Sequence, residues 1–187
     1  MLSIWVSIAA FTHLIAASVL HAPPQVRVTV DPQTCVEEQK YIGVNDKTGV
    51  YSNACAQVVD ACLAQNGTSI WSHQPCVAAA TCQGTWSVIT LNQCQNPNVL
   101  AAGDIPNLAF TIYTNIVGSC APDGCPMTQQ NYIDFIYGAM SAANVVDWPG
   151  SVNDVITQWW QPILDWTATG DTIPYTNFND WLHWSNS

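Results

Sequence analysis

The chain has 187 residues, 49% of them hydrophobic and only 9% charged, against about 25% charged in an ordinary soluble domain. Three Lys and Arg against thirteen Asp and Glu give a net charge of -10, which argues against a nucleic-acid partner for want of cations to release counterions. Disorder is disfavoured too, because nine Trp, six Tyr and four Phe supply a core that disordered chains lack.

Residues 2–20 form an uncharged apolar run ending in small residues, which reads as a secretory signal peptide with a neutral n-region. Cleavage is expected after Ala22, with Ser18 as the alternative; a membrane anchor is the competing reading, made poor by Thr12, His13 and three Ser. The mature chain, 23–187, has no further span and reads as one domain. Val26, Val28 and Val30 alternate with polar residues, as in a short edge strand that stops at Asp31-Pro32.

Over 51–65 the apolar spacing becomes helical, through Ala54, Val58, Ala61 and Cys62, and Gly67 stops it. Cys55 and Cys62 then share one face and face neighbours rather than each other. Asn66-Gly67-Thr68 is a glycosylation sequon in a turn. A short helix is predicted over 75–82 and a brief strand or extended piece over 88–91. Leu108, Ile112 and Ile116 place a helix within 107–117, ended by Gly118, and Pro122-Asp123-Gly124 turns the chain between Cys120 and Cys125.

Thr128 can cap a helix running to about Ala143 whose apolar stripe is wide enough for a central element. A capping-box-like Ser151-x-x-Asp154 starts the next helix, with Val152, Val155, Ile156, Trp159, Ile163 and Trp166 turned inward. Pro162 is expected to kink or restart it and Gly170 to end it. Thr176 or Asn177 then caps a last turn or two carrying Phe178, Trp181 and Leu182. The fold class is mainly α, a compact disulfide-stapled helical domain with one short strand pair near the N-terminus.

All eight cysteines, Cys35, Cys55, Cys62, Cys76, Cys82, Cys94, Cys120 and Cys125, follow the leader, and an even count in a secreted chain implies four disulfides. Structural zinc is disfavoured, since no Cys-x-x-Cys occurs and only His73 and His183 remain. The cations are Arg27, Lys40 and Lys47 alone, so the nine Asp of 48–187 have no Lys or Arg among them. Helix N-termini are the expected substitute, at Asp104, Asp154 and Asp180.

Six Trp fall between 148 and 184, interleaved with Asp147, Asp154, Asp165, Asp171 and Asp180. Rings beside carboxylates and amides suit sugars, whose apolar faces stack while their hydroxyls hydrogen-bond. Core packing is the bland use of each Trp. Trp159, Trp166 and Trp181 lie on inward stripes, and adjacent Trp159 and Trp160 diverge on a helix, which leaves Trp148, Trp160 and Trp184 as surface candidates, with Asp165 and Asp171 as polar partners. A carboxylate-dependent polysaccharide hydrolase is the alternative, with Asp147, Asp165 and Asp171 as its acids; a structural surface protein without a ligand is the third. No cofactor is expected. Calcium is the weak alternative, on Asp171, Asn177, Asn179 and Asp180.

The segment 132–138, Trp148-Pro-Gly-Ser-Val and the ending 165–183 resemble small secreted cysteine-rich proteins of filamentous, mushroom-forming fungi. The resemblance covers the C-terminal third and supplies no catalytic residues. It implies an extracellular role, and the expected function is non-enzymatic binding of extracellular glycans or a surface protein.

Overall fold

The computed structural model describes residues 29–44 and 51–186; residues 2–20, expected as a signal peptide, and most of the alternating segment before Asp31 lie outside the described residues. The first helix, α1, runs Pro32–Lys40, where the sequence pattern predicts only the end of a strand. The Asp31 carboxylate accepts from the amides of Gln33 and Thr34, and Pro32, with no N–H to lose and its φ preset, fits the first helical turn.

Helix α2 (Asn53–Leu63) is capped by the Ser52 hydroxyl and packs against α3 (Gln74–Gln83). Disulfides Cys55–Cys82 and Cys62–Cys76 join them at both ends, an antiparallel match that uses the shared face of Cys55 and Cys62. Helix α4 (Thr85–Gln95) follows after one residue, Gly84, whose φ of 106° no L side chain adopts comfortably. A third disulfide, Cys35–Cys94, ties α1 to α4, and this bond holds down a helix that buries no residue of its own. Val88–Leu91 belongs to α4, not to a strand. Its β-branched residues favour strands, but burial from Ser87 to Gln93 within a helical core overrides that preference.

The centre of the molecule is α3. Every residue from Cys76 to Gln83 is buried, and Ala78, Ala79 and Ala80 let α2, α4 and α6 approach closely. A helix enclosed on all sides has no amphipathic period, so the sequence pattern favours α6 (Gln129–Ala142) as central instead. That helix keeps an exposed face at Gln130, Asp134 and Ser141. Its start is as expected, with Thr128 and Asn131 forming a reciprocal capping box.

Helix α5 (Phe110–Val117) stops at Gly118, and Cys120 and Cys125 close on each other across the Pro-Asp-Gly turn. The strand pair is not near the N-terminus. It joins β1 (Met127–Thr128) antiparallel to β2 (Thr172–Ile173), with Met127 opposite Ile173, pairing the chain before α6 with the chain before α9 (Tyr175–Trp184). The Tyr113 hydroxyl donates to the carbonyls of Cys125 and Ile173 and so fastens the disulfide loop beside this pair.

Between α6 and α9 runs one helical rod: α7 (Val152–Val155), a π segment over Ile156–Trp160, and α8 (Gln161–Thr167). Pro162 cannot donate to a carbonyl one turn back, and a wider turn accommodates the break without ending the helix. The π segment shifts all later residues around the axis. Trp160 therefore turns inward beside Trp159, at 1% and 4% exposure, and Trp166 turns outward at 45%, reversing the expectation for Trp160 and Trp166. Trp160 lies 5.2 Å from Tyr132 of α6, ring to ring. The apolar residues buried by all these elements form one continuous cluster.

Some carboxylates of this cation-poor surface are met by amides. Gln130 donates to Asp134, Gln161 to Asp165 and Gln33 to Glu37, each pair four residues apart on one helix face. Asp154 does sit in the first turn of α7, where its amide donates to Ser151 Oγ. Asp104 and Asp180 do not cap. The former ends a single 3-10 turn six residues before α5, and the latter lies inside α9, which starts at Tyr175 behind Pro174 rather than at Thr176 or Asn177.

Candidate functional site

Helix α6 ends in a left-handed Asn144 (φ 55°), after which the Val145 amide donates to the Met140 carbonyl and the Val145 side chain is buried. The chain then turns outward through Val146, Asp147 and Trp148. Two long-range bonds fix this loop to α2: the Val146 amide donates to Gln57 Oε1 at 3.0 Å, and Asn53 Nδ2 donates to Asp147 Oδ2 at 2.6 Å. Pro149 biases Trp148 to extended backbone. The Tyr137 ring stacks on it at 5.7 Å and 20°, so the indole is braced although 45% exposed.

Opposite this loop stands Tyr51. Its backbone pairs with Val44 in an isolated antiparallel bridge, and the Ser52 amide donates to the Gly43 carbonyl at 2.7 Å. Gln83, at the buried end of α3, fixes the turn beneath: its Oε1 accepts from the Gly43 amide at 2.7 Å and its Nε2 donates to the Tyr41 carbonyl at 3.0 Å. Gly43 has a φ of 82°, and a Cβ there would stand 2.8 Å from the Ser52 carbonyl oxygen, so the turn admits only glycine. Tyr51 in turn donates to Asn53 Oδ1 at 3.4 Å, which links it through Asn53 to Asp147.

These elements enclose a groove of about 460 Å³, within the ~300–1,000 Å³ common for ligand sites. Tyr51 and Trp148 supply aromatic walls, Trp159 of the π segment a buried floor, and Asp147, Asp154 and Gln158 the polar edge. Such a surface offers flat apolar faces to a ring and hydrogen-bond acceptors to its substituents.

Of the residues singled out by sequence, Asp147 and Trp148 meet here. Trp160 does not, being a core residue, and neither Asp165, Asp171 nor Trp184 lines the groove. Asp165 lies on the exposed face of α8 bonded to Gln161, Asp171 in the exposed turn before β2, and Trp184, 61% exposed, at the end of α9 beside Gly103. Two of the four proposed calcium ligands are engaged structurally: Asn179 Oδ1 accepts from the Leu108 amide and Asn177 Oδ1 from Thr176 Oγ1, while Asp171 and Asp180 are exposed. Among the described residues no three His, Cys, Asp or Glu side chains are grouped to hold a metal.

Sequence reasoning missed Tyr51, Asn53, Asp154 as a groove residue, and Gln158. The Asn53–Asp147 pair spans 94 residues, and no local pattern announces it. Asn66 is exposed in a left-handed turn after α2, with its carbonyl accepting from Asn96. No family model, curated protein or solved structure matches the chain. Among the described residues no helix is long and apolar enough to cross a membrane.

Proposed function

We propose that this is a secreted, non-enzymatic binding protein that takes an extracellular glycan into the groove between Tyr51 and Trp148, with Asn66 bearing a glycan of its own. The observation that carries the reading is the braced, exposed Trp148 across from Tyr51, with Asp147, Asp154 and Gln158 along the same groove. Four disulfides, the apolar leader and the resemblance to small secreted fungal proteins support the extracellular setting.

Binding is favoured over hydrolysis by the setting of the carboxylates. A glycosidase keeps one of its two carboxyl groups protonated by shielding it from water, whereas Asp147 and Asp154 both stand on an open, exposed edge. Glycan-array screening followed by calorimetry tests the reading. Wild type is expected to bind a defined set of oligosaccharides, Trp148→Ala and Tyr51→Ala to lose tenfold or more, and Trp184→Ala to bind as wild type. Absence of any glycan binding, or binding indifferent to Trp148→Ala, overturns it.

A further inference from the structure

We infer that the groove selects sugars that carry free amines, that is, oligosaccharides of 2-amino-2-deoxy sugars in their ammonium form, over neutral and acidic ones. The inference rests on the glycan-binding reading above and adds the charge of the ligand to it.

The groove has two carboxylates and no cation among its lining residues. Asp147 accepts one bond, from the neutral Asn53 carboxamide, and the Asp154 carboxylate accepts none from the described residues. The chain from 48 to 187 contains no Lys or Arg at all, so its own side chains offer the carboxylates no such partner there. Lys47, the nearest cation in sequence to Tyr51, lies outside the described residues, with Asp46 next to it in the chain. A uronic-acid or sulfated polymer entering here meets like charge at Asp147 and Asp154. An N-acetylated sugar finds acceptors but brings no charge to them.

An ammonium group on a sugar ring satisfies both features of the groove. It donates charge-assisted hydrogen bonds to Asp147 or Asp154, stronger than those of a hydroxyl. It also lies favourably near the faces of Trp148 and Tyr51, whose π electrons attract cations while the C–H face of the ring stacks on them. Free polyamines would share the charge but not the ring, so the aromatic walls argue for the sugar.

Calorimetry with three tetrasaccharides tests this: a glucosamine tetramer with free amines, its fully N-acetylated form, and a tetragalacturonate, with spermine as a ringless cation. The free-amine tetramer is expected to bind at least tenfold tighter than the acetylated one, the galacturonate not measurably, and the margin to narrow as salt is raised. Asp154→Asn and Asp147→Asn should each shrink the ratio of the first two affinities about tenfold, the loss expected on exchanging a hydrogen bond to a charged group for a neutral one. Trp148→Ala should weaken both tetramers. Equal affinity for the amine and acetylated forms, or a ratio unmoved by both Asp variants, overturns the inference while leaving the glycan reading standing. Binding of spermine as tightly as the amine tetramer, indifferent to Trp148→Ala, overturns the choice of sugar. If no tetramer binds and the glycan array is also blank, the glycan reading itself falls.

Discussion

Replacing Gln83 by Met removes two hydrogen bonds and little volume. The buried Gly43 amide is left without an acceptor, while the Tyr41 carbonyl loses one of its two donors and keeps the Val44 amide. A buried polar group left without a partner costs about 1–3 kcal/mol, so Gln83→Met should lower stability by about that much, a sizeable share of the ~5–15 kcal/mol typical of a domain. Gln83→Glu separates the two bonds. When ionised, the introduced carboxylate still accepts from Gly43 but meets the Tyr41 carbonyl with no hydrogen; protonation restores the donor. Burial and that carbonyl both favour the protonated form in the folded state, so the variant should be stable below the ordinary Glu range near pH ~4.3 and lose stability as pH rises above it. Urea unfolding followed by Trp fluorescence, with disulfides intact, measures both. Because the Gly43 turn sets Tyr51, glycan affinity should fall in the Met variant beyond what its unfolded fraction explains. A Gln83→Met protein within about 0.5 kcal/mol of wild type at neutral pH refutes the account of how the turn is held.

Two further outcomes check the packing. Trp160→Ala should lose about 3–5 kcal/mol as a core truncation, against about 0.5 kcal/mol or less for the exposed Trp184→Ala, and comparable urea midpoints for the two would contradict the inward turn of the π segment. Burial holds the Tyr132 phenol well above its ordinary value, only partly offset by its bond to Thr81, and burial also raises Tyr113 and Tyr175. A folded value above the unfolded one near ~10 gives stability that is complete below that pH and lost as pH rises beyond it. Phenolate absorbance and near-ultraviolet circular dichroism should therefore show Tyr132 ionising only as the fold is lost. Tyr132→Phe should move the alkaline unfolding midpoint upward, and ionisation of all six tyrosines with the dichroism unchanged would contradict this.

Local physics determined much of this protein from sequence alone. Caps, stop glycines and apolar spacing located the bodies of α2, α3, α5 and α6, because each signal acts within a turn or two of helix. The seven-residue spacing of Cys55 and Cys62 likewise implied disulfides to a neighbour rather than to each other. The Pro-flanked position of Trp148 implied its exposure, for the dipeptide restricts the backbone whatever surrounds it. Only the tertiary structure decided the rest. Whether α3 or α6 lies at the centre depends on which helix is enclosed on all sides, and full enclosure erases the very period that reveals a helix. The π segment that buries Trp160 and exposes Trp166 reflects how Pro162 is accommodated against α6, and a proline alone fixes only that some bond is lost. The groove joins the start of α2 to the loop after α6 through a bond 94 residues long in sequence, a juxtaposition set by the packing of α2, α3 and α6 and by no motif.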